Sequence, residues 1–207
     1  MAYPAFFDQA PSIVVHDSLA EFLGASSDGL LTYQYIDAVR LAGHSCPTVA
    51  GAYLMARRAL LTLFPNQTPE RGTVKVSFSA PLAEGVTGVI ASVISLVTGA
   101  AGAGGFKGIG GKFCRQDLLH FASDLNGQVM FERINNGASV HLATRMHQVP
   151  ADPRTGALLQ KILAGLAAQD ETREFAVLWQ ARVKKMLIEH ADDPELIIMT
   201  TVKSSNQ

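Results

Sequence analysis

The residues best suited to chemistry lie in one short segment, Gly43-His44-Ser45-Cys46-Pro47. Proline is favoured at the first position of a helix, so Pro47 predicts that a helix begins there with Cys46 as its N-cap. The unpaired backbone N–H groups and the positive end of the helix dipole would then stabilise a thiolate over a thiol at Cys46. In an extended approach to the helix, the side chains of His44 and Cys46 would point to the same side.

A thiolate beside an imidazole suits two kinds of chemistry. The pair supplies half of a tetrahedral zinc site, or the nucleophile and base of a covalent catalyst, so His44 and Cys46 are candidate catalytic residues and candidate metal ligands. The further candidate ligands are Cys114 and His120, or an oxygen of Asp37 or of water. The expected metal is zinc or another divalent transition metal. The alternative is structural, a buried cysteine at a helix start with a hydrogen-bonded histidine near it.

A loop rich in glycine and lysine spans residues 102–112. Because glycines expose backbone N–H groups and lysines add positive charge, this loop is suited to bind an anion and to border a site. The candidate cofactor-binding residues are Lys107, Gly108, Gly110 and Lys112. The loop departs from the Walker pattern, since Phe106 replaces a glycine and Phe113 replaces the serine or threonine. A merely flexible loop is the alternative.

The elements that must position these residues indicate an α+β fold, with a mixed or antiparallel sheet packed against helices and a helical C-terminal extension. Apolar spacing and a capping box at Ser18 predict helical segments near residues 18–24, 33–41, 47–64, 86–97, 115–120, 155–168 and 170–190. Strands are predicted at 73–79, 128–134 and 139–145, the last two joined by an Asn-Gly turn, and residues 196–199 form a last strand or an apolar clip. We predict a core at 1–150 and, at 151–207, an extension that packs on the core or on a dimer partner.

The composition limits the partners. The chain has 207 residues, 48% of them hydrophobic, which allows a substantial core. Its formal net charge of -1 provides no positive electrostatic field to attract nucleic acid, so no nucleic-acid partner is expected. Residues 85–106 carry no charge, but their glycines weaken an isolated helix and the apolar part is too short to cross a bilayer, so no membrane span is expected. The start lacks a secretory signal and the two cysteines suit a reducing compartment, which favours the cytoplasm.

The segment from Gly43 to Pro47 and the apolar helix after it resemble the helix start of the FmdE family, which takes its name from formylmethanofuran dehydrogenase. Later features occur in the family's order, namely a helix that ends in Thr98-Gly99, the glycine and lysine loop, and a β-hairpin that contains residues 130–133. The resemblance covers residues 15–147. It implies an α+β core, a homodimer and a metal site to which His44 and Cys46 correspond, but no established reaction.

The sequence departs from the family at several ligand positions. Ala42 stands where the family often has histidine, Val89 and Ser92 where it has cysteine and aspartate, and Ala100 where it has cysteine. No Cys-x-x-Cys pair follows residue 147, so two predicted helices replace the accessory zinc finger of some relatives. Metal binding is therefore lost, rebuilt with Cys114 or His120, or replaced by cofactor binding.

The leading hypothesis is a dimeric zinc-type protein that handles a small molecule or cofactor, and the rival is a non-catalytic carrier or accessory protein that acts through a dimer groove.

Overall fold

The computed structural model describes residues 3–203, with the backbone alone for residues 201–203. The helices are α1 (Ser18–Phe22), α2 (Tyr35–Ala42), α3 (Pro47–Leu63), α4 (Thr87–Thr98), α5 (Arg154–Leu163) and α6 (Gln169–Lys184). The strands are β1 (Ile13–His16), β2 (Leu30–Tyr33), β3 (Val74–Phe78), β4 (Leu119–His120), β5 (Val129–Arg133), β6 (Ser139–Thr144) and β7 (Ile197–Lys203). Helices and strands are both present in quantity, which confirms the predicted α+β class.

The main sheet has five strands in the order β4-β3-β5-β6-β7. Only β3 and β4 are parallel, and every other pair in this sheet is antiparallel. The Asn-Gly turn joins β5 to β6 as predicted, and a register shift between His141 and Leu142 bends β6 where it meets β7. β1 and β2 form a separate antiparallel pair. The sheet is therefore mixed, with a large antiparallel part.

Helix α3 is the centre of the fold and is buried along most of its length. It contacts β5, β6 and β7 of the sheet as well as α2, α4 and α6. Its sequence is almost continuously apolar because it has neighbours on nearly every side, and such a helix lacks the polar face of a surface helix. The residues that precede α3 are thus fixed against a rigid element.

Helix α4 packs on α2 and α3 but leaves one face uncovered. Its buried residues include Ile90, Val93, Ile94 and Val97, whereas Ser92 is exposed. Gly99 ends the helix with a φ of 72°, the left-handed conformation that glycine adopts readily. Among the helices of residues 3–203, none is long and apolar enough to cross a bilayer.

The last part of the chain returns to the core. A π-helical turn at Lys185–Glu189 follows α6 and buries Met186 and Leu187. β7 then pairs with β6, so the apolar run at residues 196–199, interpreted as either a strand or a clip, begins an edge strand of the main sheet. The two predicted C-terminal helices are present as α5 and α6.

Three local predictions are wrong. Residues 115–120 are not helical, because β4 pairs with β3 and Val76 N donates to Leu118 O. Asp17 rather than Ser18 caps α1, since Asp17 Oδ1 accepts from two amides of α1 while the Ser18 hydroxyl donates to Glu70. The helix predicted at 33–41 begins only at Tyr35, as residue 33 ends β2. In each case a partner distant in sequence, or an adjacent strand, decides the local structure.

Candidate functional site

Cys46 is the N-cap of α3, as predicted. Its backbone is extended, with φ -149° and ψ 167°, and Pro47 occupies the first turn of the helix. The Sγ atom accepts a hydrogen bond from Val49 N at 3.5 Å. Only 9% of the residue is exposed and it packs within the hydrophobic core. The sulfur therefore caps a helix from a buried position.

His44 lies in a different environment from Cys46. Its ring is exposed, and Nδ1 is 2.9 Å from the Ala42 carbonyl oxygen, to which it can donate. Among the described residues, no hydrogen bond joins His44 to Cys46, so the two do not form a nucleophile and base pair in this structure. The ring instead lines a small surface pocket beside α2 and α4.

Ser45, between them, anchors the segment to α6. Its hydroxyl donates to Gln180 Oε1 at 3.0 Å and lies 3.0 Å from the Tyr35 hydroxyl. Its carbonyl oxygen accepts from Trp179 Nε1 and from Gln180 Nε2, each at 3.1 Å. Burial raises the pKa of Tyr35, whose phenol stays protonated. Sequence reasoning missed this network, because its partners in α6 lie more than a hundred residues away.

The four proposed metal ligands do not form a single cluster. Cys114 is exposed with Sγ 3.9 Å from the Gln116 carbonyl oxygen, and His120 is exposed with Nε2 2.9 Å from the Asp117 carbonyl oxygen. Within residues 3–203, no group of three or more His, Cys, Asp or Glu side chains is arranged to hold a metal ion. A structural zinc ion needs four ligands. The described residues of one chain therefore do not fit a zinc site by themselves.

The glycine and lysine loop forms a tight turn. Ile109 N donates to Lys112 O and Lys112 N donates to Ile109 O, while Gly110 and Gly111 have φ values of 56° and 78°. Positive φ at both central residues is characteristic of a type I′ turn, which glycine favours. The amides of Ile109 and Lys112 are consequently engaged within the loop. The side chain of Lys107 is exposed, and that of Lys112 borders a polar pocket.

That polar pocket has a volume of about 350 Å³ and brings Lys112 and Cys114 beside two arginines. Arg115 and Arg71 both contact the buried carboxylate of Asp17, at 2.7 and 2.9 Å. Burial alone would raise the pKa of Asp17, but the hydrogen bond from Arg71 and the charge of Arg115 hold it below its ordinary value. The residues that follow the loop are thus joined to the core through the ion pair between Arg115 and Asp17.

A larger, apolar concavity lies along the uncovered face of α4, and we call it the α4 groove. Its volume is about 620 Å³. The residues lining it are Leu41, Arg71, Leu82, Gly88, Ala91, Ser92, Ser95, Leu96, Gly99, Ala100, Ala101, Gly102, Leu119 and Phe121. Arg71 is the one charged residue among them. The groove therefore offers mostly hydrocarbon surface, with a guanidinium in its wall.

The pocket at His44 adjoins this groove, with which it shares Leu41, Gly88 and Ser92. It has a volume of about 210 Å³, and its remaining lining residues are Ala42, His44 and Val89. Positions 42, 89 and 92 thus converge around the histidine. Only His44 among them has a side chain typical of a transition-metal ligand. We call this the His44 pocket.

Comparison with models of known protein families and with curated proteins finds no match for this chain. Fold and geometry define it as an α+β protein with an apolar surface groove and a single-histidine pocket at one side of that groove.

Proposed function

We propose that this protein binds a small organic molecule or cofactor in the α4 groove and that it acts as a carrier or accessory protein rather than as a catalyst. One observation carries the proposal: three positions that resemble metal-ligand positions of the FmdE family, 42, 89 and 92, line the His44 pocket but hold alanine, valine and serine, and Cys46 is not among the residues that line it. Without such ligands, the His44 pocket lacks the set of donor atoms that a metal ion needs. It is open to the α4 groove, with which it shares lining residues. Of the three outcomes considered from the sequence, replacement by organic ligand binding suits this arrangement best.

The size and lining of the α4 groove support the same proposal. Pockets that bind small molecules commonly have volumes of roughly 300 to 1,000 Å³ and are lined mainly by apolar groups with a few polar ones. The α4 groove has about 620 Å³ and one charged residue, Arg71. Buried Cys46 and exposed His44 lack the mutual hydrogen bond that is typical of a nucleophile and its base. Binding therefore accounts for more of the observed features than catalysis does.

A transition-metal site remains the second candidate, favoured by Cys46 at the start of α3. Val49 N donates to Cys46 Sγ in the first turn of α3, and cysteine sulfur is a common zinc ligand. The missing ligands would have to come from a bound molecule or from a second copy of the chain. A homodimer, which the FmdE resemblance implies, belongs to this proposal and is tested by sedimentation equilibrium.

The decisive experiment examines what the protein carries when it is purified without added metal. Elemental analysis measures bound metal, and native mass spectrometry followed by solvent extraction identifies an organic ligand. We expect less than stoichiometric metal and a co-purifying organic molecule. Stoichiometric metal that is lost in both Cys46→Ser and His44→Ala would instead establish the second candidate.

A pair of bulky substitutions locates the organic ligand. Ser92→Trp places an indole in the α4 groove and the His44 pocket, and we expect it to abolish ligand retention. Thr172→Trp is the matched control, because Thr172 is also exposed on a helix and its hydroxyl also donates to the carbonyl four residues earlier. Equal ligand retention in the two variants would place the ligand elsewhere.

A further inference from the structure

Arg71 gives the α4 groove a chemical preference that its apolar wall alone lacks. Resting on the function proposed above, we infer that the ligand is an amphipathic carboxylate, a hydrocarbon body with one carboxylate group that pairs with Arg71. The groove's other lining residues are apolar or uncharged, and no carboxylate is among them. A cationic ligand would find no counter-charge in this groove, whereas an anionic one would.

The guanidinium of Arg71 is only partly used by the fold. Nε and Nη2 donate to the Leu96 carbonyl oxygen at 3.3 and 3.0 Å, and Nη1 donates to Asp17 Oδ2 at 2.9 Å. A guanidinium has five N–H groups, so two remain without a partner among the described residues. The Arg71 side chain is 21% exposed, which leaves room for a ligand to approach. Three internal bonds fix its position before any ligand arrives.

The surrounding charges leave Arg71 incompletely neutralised. Asp17 is shared with Arg115, so one carboxylate serves two guanidinium groups. The neighbouring acid, Glu70, is occupied by other donors, since it accepts from Ser18 and lies 2.5 Å from His16 Nδ1. Asp17 offsets only one of the two guanidinium charges that it contacts, and the charge of Glu70 acts on Arg115. A ligand carboxylate would pair directly with Arg71.

A carboxylate suits this position better than a neutral polar group does. Hydrogen bonds between ionised partners are roughly twice as strong as those between neutral groups, and the planar guanidinium matches the planar carboxylate. The wall of Leu41, Leu82 and Leu96 offers apolar surface on which an alkyl chain can pack. The hydrocarbon body provides the burial, and the acid group determines the orientation.

The test uses octanoate, octanol and octylamine, which share an alkyl chain and differ in head group. Isothermal titration of the full chain, in a buffer free of carboxylates, measures their dissociation constants. We expect octanoate to bind about tenfold more tightly than octanol, the difference typical of one charge-assisted contact, and octylamine to bind most weakly. Equal affinities for octanoate and octanol would overturn the carboxylate inference while groove binding stood. Failure of all three to bind would count against groove binding itself.

A charge placed in the groove tests the inference without removing Arg71, whose loss would also disturb the fold. Ser92→Asp adds a negative charge at an exposed position of the groove, and Ser92→Asn adds a similar volume without charge. We expect Ser92→Asp to reduce the preference for octanoate over octanol about fivefold relative to Ser92→Asn, by like-charge repulsion. Circular dichroism confirms that both variants are folded. The same preference in both variants would contradict an acid group in this groove.

Discussion

Ser95 in α4 illustrates how a single buried hydroxyl can oppose the stability of its own helix. Its Oγ is buried and has no hydrogen-bond partner among the described residues. An unpaired buried polar group costs about 1 to 3 kcal/mol, and alanine is also the better helix former. We therefore expect Ser95→Ala to raise the free energy of unfolding, measured in urea, by about 1 kcal/mol.

Ser92→Ala is the control for that measurement. The Ser92 hydroxyl is exposed and donates to the Gly88 carbonyl oxygen at 2.9 Å, so this variant shares the gain in helix propensity without relieving an unpaired group. The difference between the two variants isolates the buried hydroxyl. A loss of stability in Ser95→Ala would mean that Oγ makes an interaction that the structure does not show.

The two thiols differ in accessibility, which bears on catalysis by Cys46. Cys114 is exposed, whereas Cys46 is buried and its sulfur caps α3. We expect Ellman's reagent to modify Cys114 within seconds to minutes. Cys46 should react only as the protein opens, because a buried thiol reacts through local unfolding. Cys114→Ser should remove the fast phase. If Cys46→Ser removes it instead, the sulfur at position 46 is reactive and a catalytic role regains support.

At the scale of elements, α2 and α4 enclose the His44 pocket and bring positions 42, 89 and 92 around one histidine. If the FmdE resemblance holds, ligand side chains placed at these positions should create a metal site. We expect the triple variant Ala42→His, Val89→Cys and Ser92→Asp to bind about one zinc ion per chain by elemental analysis, with a melting temperature that rises on zinc addition because the ligand binds only the folded state.

The triple variant in a His44→Ala background is the control, and it should bind zinc much more weakly. Unchanged zinc content in the triple variant relative to the parent chain would show that these three positions do not form a metal site with His44, and it would count against the FmdE resemblance. Stoichiometric zinc in the parent chain itself would point to the metal-binding candidate.

Across the whole molecule, features determined by neighbours in sequence could be predicted and features determined by distant partners could not. Pro47 and the Asn-Gly turn specify a helix start and a hairpin through local backbone preferences. The Cys46 helix cap was found for the same reason. The α4 groove was missed, because its wall joins α2, α4 and the segment around Leu119, which no local pattern connects. The same holds for the bond from Trp179 to Ser45.

The pairing of Asp17 with Arg71 and Arg115 connects the start of α1, the residues before β3 and the residues that follow the glycine and lysine loop. Asp17 is 3% exposed and the Arg115 side chain 9%, so removing the carboxylate leaves a buried cation unpaired. Such a loss costs about 3 to 5 kcal/mol in general. We expect Asp17→Asn to lower the free energy of unfolding by about 3 kcal/mol at neutral pH, measured by urea denaturation.

The same pairing predicts how acid affects the molecule. Burial opposes ionisation of Asp17, but Arg71 and Arg115 outweigh it and hold the pKa in the folded chain below the ordinary value of 3.8. Folding therefore favours the carboxylate, and its stabilisation is complete above the unfolded pKa and is lost as the pH falls through the folded one. The stability difference between the parent chain and Asp17→Asn should accordingly narrow below about pH 4. Asp124→Asn is the control, because Asp124 is exposed and makes no ion pair within the described chain. Its free energy of unfolding should stay close to that of the parent chain at every pH. A difference for Asp17→Asn that stays constant across this range would mean that the charge of Asp17 does not stabilise the fold.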